Sequence, residues 1–172
     1  MLVNLSDVFT SQIGEESKEI PLEMTVYQDG LQEYPILEKT PVSFTFTNIG
    51  VGKVSVKGNA RVVLQMQCDR CLKEVQQPVD LQFEIEVYTP DTEVEEADYQ
   101  EFMEQYSLDV EGLISNEILM SLPAKVVCKE DCKGICKVCG NDLNLGECGC
   151  DTFVPDPRMA AIKDIFNANK EV

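Results

Sequence analysis

Eight cysteines and no histidine define the side-chain chemistry open to this chain of 172 residues. Two of them lie in Cys68-Asp69-Arg70-Cys71, and the other six crowd together at Cys128, Cys132, Cys136, Cys139, Cys148 and Cys150. Zinc takes four ligands in a tetrahedron, and a C-x2-C turn lets two sulfurs grip one ion from the same side. A second pair then has to arrive from elsewhere in the fold. Two such pairs enclose the metal and leave no open position, so the site they form is structural. The spacing divides the cysteines most simply into two sites. Cys136, Cys139, Cys148 and Cys150 make a compact local unit, with Gly140 and Gly149 permitting the tight turns beside them. Cys68 and Cys71 are then left to meet Cys128 and Cys132, stapling a sheet to a distant segment. Spacing does not fix that long-range contact, so one zinc ion or two stay open at this stage.

The missing histidine removes Ser-His-Asp and Cys-His catalysis and any imidazole ligand. No phosphate-binding glycine loop and no carboxylate pair in an identifiable pocket replaces them, so the expectation is a protein that is not an enzyme. Three other uses of the cysteines compete with zinc. A disulfide framework belongs to an oxidising compartment, whereas Met1-Leu2-Val3-Asn4-Leu5-Ser6-Asp7 lacks the basic start and apolar run of a signal peptide. No apolar stretch is long enough to cross a bilayer, and the expected location is cytoplasmic. Cys132-x3-Cys136-x2-Cys139 matches the spacing of radical iron–sulfur enzymes, but those need a large α/β barrel that this strand-rich chain does not offer. A thiol switch, in which oxidation expels the metal, stays open.

Charge narrows the choice of partners. Thirty-one acidic residues against fourteen basic ones give a formal −17. Such a chain repels phosphate backbones at long range and attracts basic partners, although acidity also serves solubility. Two zinc ions, each held by four thiolates, would take the total to about −21. Six of the basic side chains nevertheless lie near the cysteines: Arg70, Lys73, Lys125, Lys129, Lys133 and Lys137. They either offset thiolate charge or form a local basic patch able to touch RNA phosphate. Arg70, Lys73, Lys129, Lys133 and Lys137 are the candidate RNA- or partner-binding residues.

The elements that must position these groups are strands first and helices later. Val42–Thr47 and Val79–Val87 alternate apolar and polar residues, and Ala60–Met66 is β-branched and half-buried in pattern. Period-two alternation suits an antiparallel sheet with one face on a core, and Asn48–Gly52 supplies a glycine-bearing turn. Residues 20–88 are therefore expected to form mainly one meander. Asp91, Glu93, Glu95, Glu96, Asp98, Glu101 and Glu104 have no basic residue among them and predict a solvated acidic linker. A helix should follow with Val110, Leu113, Ile114, Glu117, Ile118 and Leu122 on one face, Ser107 or Asp109 as cap and Pro123 as stop. A last helix should begin at Asp156-Pro157. The expected class is α+β: an antiparallel β-rich part over 1–88, a linker over 89–106, and a helical, cysteine-rich zinc-knuckle segment over 107–172 packed on the sheet.

Several of these segments carry a resemblance. Cys68-Asp69-Arg70-Cys71-Leu72, Leu122-Pro123, Cys132-x-Gly134-Ile135-Cys136-x2-Cys139-Gly140-x2-Leu143-Asn144, Cys148-x-Cys150 and Asp156-Pro157-Arg158, in this order, resemble the YceD family of large ribosomal RNA subunit accumulation proteins. Leu5-Ser6 is also similar. The resemblance implies a bacterial or organellar ribosome-assembly factor, from a family with no established enzymatic activity, and Cys68, Cys71, Cys132, Cys136, Cys139, Cys148 and Cys150 match the family's positions. Zinc binding is read from the spacing, not from the resemblance. The implied partners are a large-subunit ribosomal protein, precursor rRNA, or both, with no membrane and no small-molecule substrate. The runner-up is a redox-regulated zinc-thiolate chaperone.

Overall fold

The structure, a computed structural model, describes residues 1–11, 14–92 and 100–150. The chain divides into two compact units. One comprises Met1–Gln67 and Glu74–Val126; the other comprises Cys68–Lys73 and Val127–Val172. The last helix expected from Asp156-Pro157 lies outside the described residues, as do residues 93–99 of the expected acidic linker.

The first unit is strand-rich and antiparallel, with few helices. Its six-stranded sheet uses β2 (Glu15–Ile20), β3 (Val26–Gln28), β4 (Glu33–Lys39), β5 (Val42–Gly50), β6 (Lys53–Gln67) and β7 (Glu74–Tyr88). β5, β6 and β7 form the expected meander, but β4 pairs with β6 and not with its sequence neighbour β5. Strand length explains the departure. β6 runs for 15 residues, so its first half can pair with β5 and its second half with β4, while β7 follows it from Lys53↔Tyr88 to Gln67↔Glu74. Among the described residues β7 pairs only with β6, and Pro78 within it lacks an N–H, which an edge strand tolerates.

Register separates the faces. Val54, Val56, Gly58, Ala60, Val62 and Leu64 of β6 lie on the buried side, opposite Val79, Leu81, Phe83, Ile85 and Val87 of β7. Each Val, Leu, Ile or Phe among them, when fully buried, contributes about 1.5–3 kcal/mol. On the solvent face Lys57 faces Glu84 at 3.2 Å and Arg61 faces Asp80 at 3.4 Å, with Lys53 reaching Glu86 at 2.6 Å. These exposed pairs fix register more than they add stability.

Gly58 is the one position in this core where the absence of a side chain decides the packing. Its two cross-strand partners are Phe44 and Phe83, whose rings meet edge-on with centroids 6.0 Å apart. A Cβ on residue 58 would clash with the tip of the Phe83 ring. Gly58→Ala is therefore expected to cost about 2 kcal/mol by overpacking, read as a lower urea midpoint with an unchanged slope.

A small sheet of β1 (Leu2–Asn4), β8 (Met103–Glu104) and β9 (Ser107–Asp109) ties the start of the chain to the segment that leads into α2 (Val110–Ser121). A single 3-10 turn, Gln100–Phe102, precedes β8, so regular structure occupies part of the interval read as linker. The short helix α1 (Ser6–Thr10) buries Val8. Asn48 closes its end by donating from Nδ2 to the carbonyls of Val8, Phe9 and Ser11 at 2.8–3.1 Å. Helix α2 packs against β7 and buries Val110, Leu113, Ile114, Glu117 and Ile118, with no side-chain cap from Asp109.

Glu117 is the exception on that face. It is buried, and its Oε1 has no hydrogen-bond partner among the described residues. Burial holds its carboxyl above the ordinary value. The folded protein therefore holds the proton more tightly than the unfolded chain, and stability falls as pH rises from the unfolded carboxyl value through the raised one. Glu117→Gln is expected to raise the melting temperature at pH 7 by a few degrees and to change it little at pH 4. Equal effects at both pH values would mean that the charge is not the cause.

No helix among the described residues is long and apolar enough to cross a membrane.

Candidate metal centres

The described residues of the second unit form almost no apolar core. Among its described residues the buried ones are Cys68, Cys71, Cys132, Cys136 and Gly134. Sulfur fills the place that aliphatic side chains take in the first unit, and a segment this small needs disulfides, a metal or a partner to fold.

Its eight cysteines gather into two quartets, the same grouping that spacing suggested. Cys68, Cys71, Cys128 and Cys132 form one, Cys136, Cys139, Cys148 and Cys150 the other, and the sulfurs within each lie within 4.8 Å of one another. In the first, Cys71 and Cys128 Sγ are 3.5 Å apart and Cys68 and Cys132 Sγ 3.8 Å. A disulfide would bring them to about 2.05 Å, and all eight are free. Four sulfurs about 2.3 Å from a tetrahedral zinc stand roughly 3.8 Å apart. The donor set and its spacing therefore fit a closed four-thiolate ion in each quartet.

Local backbone chemistry builds both knuckles in the same way. The fourth residue after the leading cysteine donates its N–H back to that cysteine's carbonyl: Leu72 to Cys68 and Gly140 to Cys136, each at 2.9 Å. Both donors are left-handed, with φ of 61° and 75°. Glycine adopts that conformation freely, whereas Leu72 is strained and leaves its side chain exposed.

The thiols also behave as shared sites. Burial pushes Cys68 up, but backbone N–H groups of Cys128, Cys71 and Arg70 outweigh it and bring the thiol down to about 6. Backbone N–H groups of Cys139 and Val138 bring Cys136 to about 6 as well. Their partners move the other way. Cys128 is pushed up to about 12 by its contact with Cys71 and by burial, and Cys150 to about 12 by Cys139 and Cys148. Four thiolates this close repel, so only part of each quartet ionises alone; a dication at the centre removes the conflict.

The five basic candidates lie in or beside this unit's turns, and three are engaged locally. Arg70 donates from its guanidinium to the carbonyls of Glu130 at 3.3 Å and Cys132 at 2.9 Å. Lys73 pairs with Asp142 at 2.6 Å, and Lys129 with Asp131 at 3.6 Å. Lys133 and Lys137 are exposed.

Three residues that were not singled out as site residues organise the centre. Gly134, at φ 76°, lies so close to the Arg70 carbonyl that a Cβ would stand 2.8 Å from its oxygen. Asp142 is held near 2 by Lys73 and the Asn144 N–H groups. Asn144 Nδ2 lies 3.5 Å from Cys132 Sγ. Gly134 and Asn144 fall within the segment that carries the family resemblance, and all three are turn-forming residue types between cysteines.

The model of the family described as "Large ribosomal RNA subunit accumulation protein YceD" matches residues 56–166, about two thirds of the chain and both quartets. The chain belongs to the YceD family. Comparison with curated proteins and with solved structures gave no match. The YceD match begins within β6, so β2 to β5 lie before it.

Proposed function

We propose that this YceD protein is a cytoplasmic, non-catalytic ribosome-biogenesis factor that promotes accumulation of large-subunit rRNA, and that it does so by holding a basic ribosomal protein. The family match supports the first part, and the distribution of charge supports the second. The β unit carries 22 acidic and six basic residues, whereas the cysteine unit carries nine and eight. Three of those six cations are already taken by the β6–β7 ladder. The chain's charge is thus a property of the β unit, a surface for a cationic protein and a poor one for a phosphate backbone. In this reading two zinc ions close the quartets and hold the knuckles in shape; they take no substrate.

Contact with precursor rRNA by Lys133, Lys137 and the other basic residues of the knuckles is the lesser reading, because acidic residues balance them within the same unit. A redox-regulated chaperone is the alternative from another class, and exposed Cys128 and Cys139 are what favour it. It requires zinc loss and client binding on mild peroxide treatment.

Depletion of the protein from growing cells tests the main reading. Large-subunit rRNA should fall relative to small-subunit rRNA, and free small subunits should accumulate. An unchanged ratio after full depletion would refute the assignment.

A further inference from the structure

One loop touches both quartets. The segment between the halves of the second quartet, residues 140–147, also supplies the groups that finish the first. At its base Cys136 N–H donates to Asn141 O at 2.8 Å, Leu143 N–H to Gly134 O at 2.9 Å, and Ile135 bridges Asp142. On its other side Asp142 pairs with Lys73, two residues beyond Cys71. Asn144 donates from Nδ2 to Cys132 Sγ and accepts from the Lys133 N–H at 2.9 Å through Oδ1. Its own N–H and Nδ2 are braced by Asp142 Oδ1 at 2.9 and 2.7 Å.

We infer that the two quartets take up metal as a coupled pair, and that Asn144 is the positioning residue that couples them. This rests on reading the quartets as zinc sites. Closing the second quartet ties both ends of segment 140–147, which fixes Asn144 where its Nδ2 group meets a sulfur of the first. The thiolate of Cys132 then gains a donor whose ordering entropy has already been spent. The reverse follows by linkage: metal on the first quartet fixes Cys132 and Lys133, which hold Asn144 and so preform the loop of the second. Burial sets a difference in access. Three of the four cysteines in the first quartet are buried, against one in the second. The outer site therefore exchanges metal more readily, and the inner site follows it.

Native mass spectrometry of the full chain, stripped of metal, reduced and titrated with zinc, reads the coupling directly. At one zinc per chain the expected populations are mostly zinc-free and two-zinc protein, with the one-zinc species well below its statistical share. A dominant one-zinc species would overturn the coupling while leaving both sites standing; no zinc uptake would overturn both readings. Asn144→Asp keeps the acceptor for Lys133 and removes the donor to sulfur. It should lower zinc affinity at the first quartet by about 10–100-fold, let the one-zinc species accumulate, and shift the sulfur-to-metal charge-transfer band of cobalt bound there. Unchanged cooperativity in that variant would remove Asn144 from the role. The double variant Cys148→Ser, Cys150→Ser leaves every ligand of the first quartet in place, and cobalt affinity there should still fall at least about fivefold. Wild-type affinity in it would overturn the coupling without relying on Asn144.

Discussion

Excess chelator in reducing buffer is expected to unfold the cysteine unit while the β unit keeps its sheet. Structural zinc in small metal-dependent domains supplies about 10–16 kcal/mol of folding free energy, and the buried residues described in this unit are four cysteines and a glycine. Among the described residues of the unit nothing else can replace the metal as a core. The β unit, by contrast, has a continuous apolar core running from Leu5 to Ile118. The check is amide hydrogen exchange before and after chelation. Protection should vanish at Cys132, Cys136, Gly140 and Leu143, whose N–H groups bond within the unit, and persist along β5, β6 and β7. Retained protection at those four amides in metal-free protein would show that the quartets do not fold the unit.

Gly134→Ala is the single substitution with the largest expected effect on the knuckles. The left-handed φ alone costs an alanine about 1–2 kcal/mol. The new Cβ also meets the Arg70 carbonyl oxygen, a backbone atom that cannot swing aside. Relief requires residues 68–73 to move away from residues 133–136. That breaks the 3.1 Å bond from Ile135 N–H to the same carbonyl and pulls Cys68 and Cys71 away from Cys132. With overpacking adding about 1–3 kcal/mol, a total near 3 kcal/mol is expected. Competition with a chromophoric chelator should show one zinc lost about 100-fold more easily, the other less affected. Equal zinc retention in mutant and wild type would mean that the Arg70 carbonyl does not position the first quartet.

The parts of the fold legible in the sequence were those where one physical rule acts alone. Alternation over Val79–Val87 and Val42–Thr47 identified strands because one face of each is buried, and helix α2 was legible from its three-and-four spacing down to Glu117. Pairing was not. Nothing in the residues of β4 says that it joins β6, because the choice follows from a 15-residue strand offering two consecutive edges. Nor did any pattern announce that Leu2–Asn4 pairs with Ser107–Asp109, a contact across most of the chain. For the site, spacing made the second quartet a local unit and left the first as the remainder, and the structure brings together the same two sets. The residues that finish the centre, Gly134, Asp142 and Asn144, act through a conformation, an ion pair and one hydrogen bond. Those depend on the folded loop; the sequence shows turn formers, Gly134 and Asn144 within the family motif, but not what they touch. Arg70 carries the opposite lesson. Its charge allowed a local structural role or a contact for RNA, and its guanidinium is bonded to two carbonyls of its own unit.

Affinity capture from nuclease-treated lysate tests most directly whether the β unit acts by protein contact. Wild-type protein should retain a basic large-subunit ribosomal protein, released by moderate salt because the attraction is screened. Reversing Glu15, Glu19, Glu33 and Glu38, exposed acids of β2 and β4, should weaken capture, whereas reversing Lys133 and Lys137 should not. Recovery of rRNA fragments without any ribosomal protein, lost on reversal of the two lysines, would contradict it.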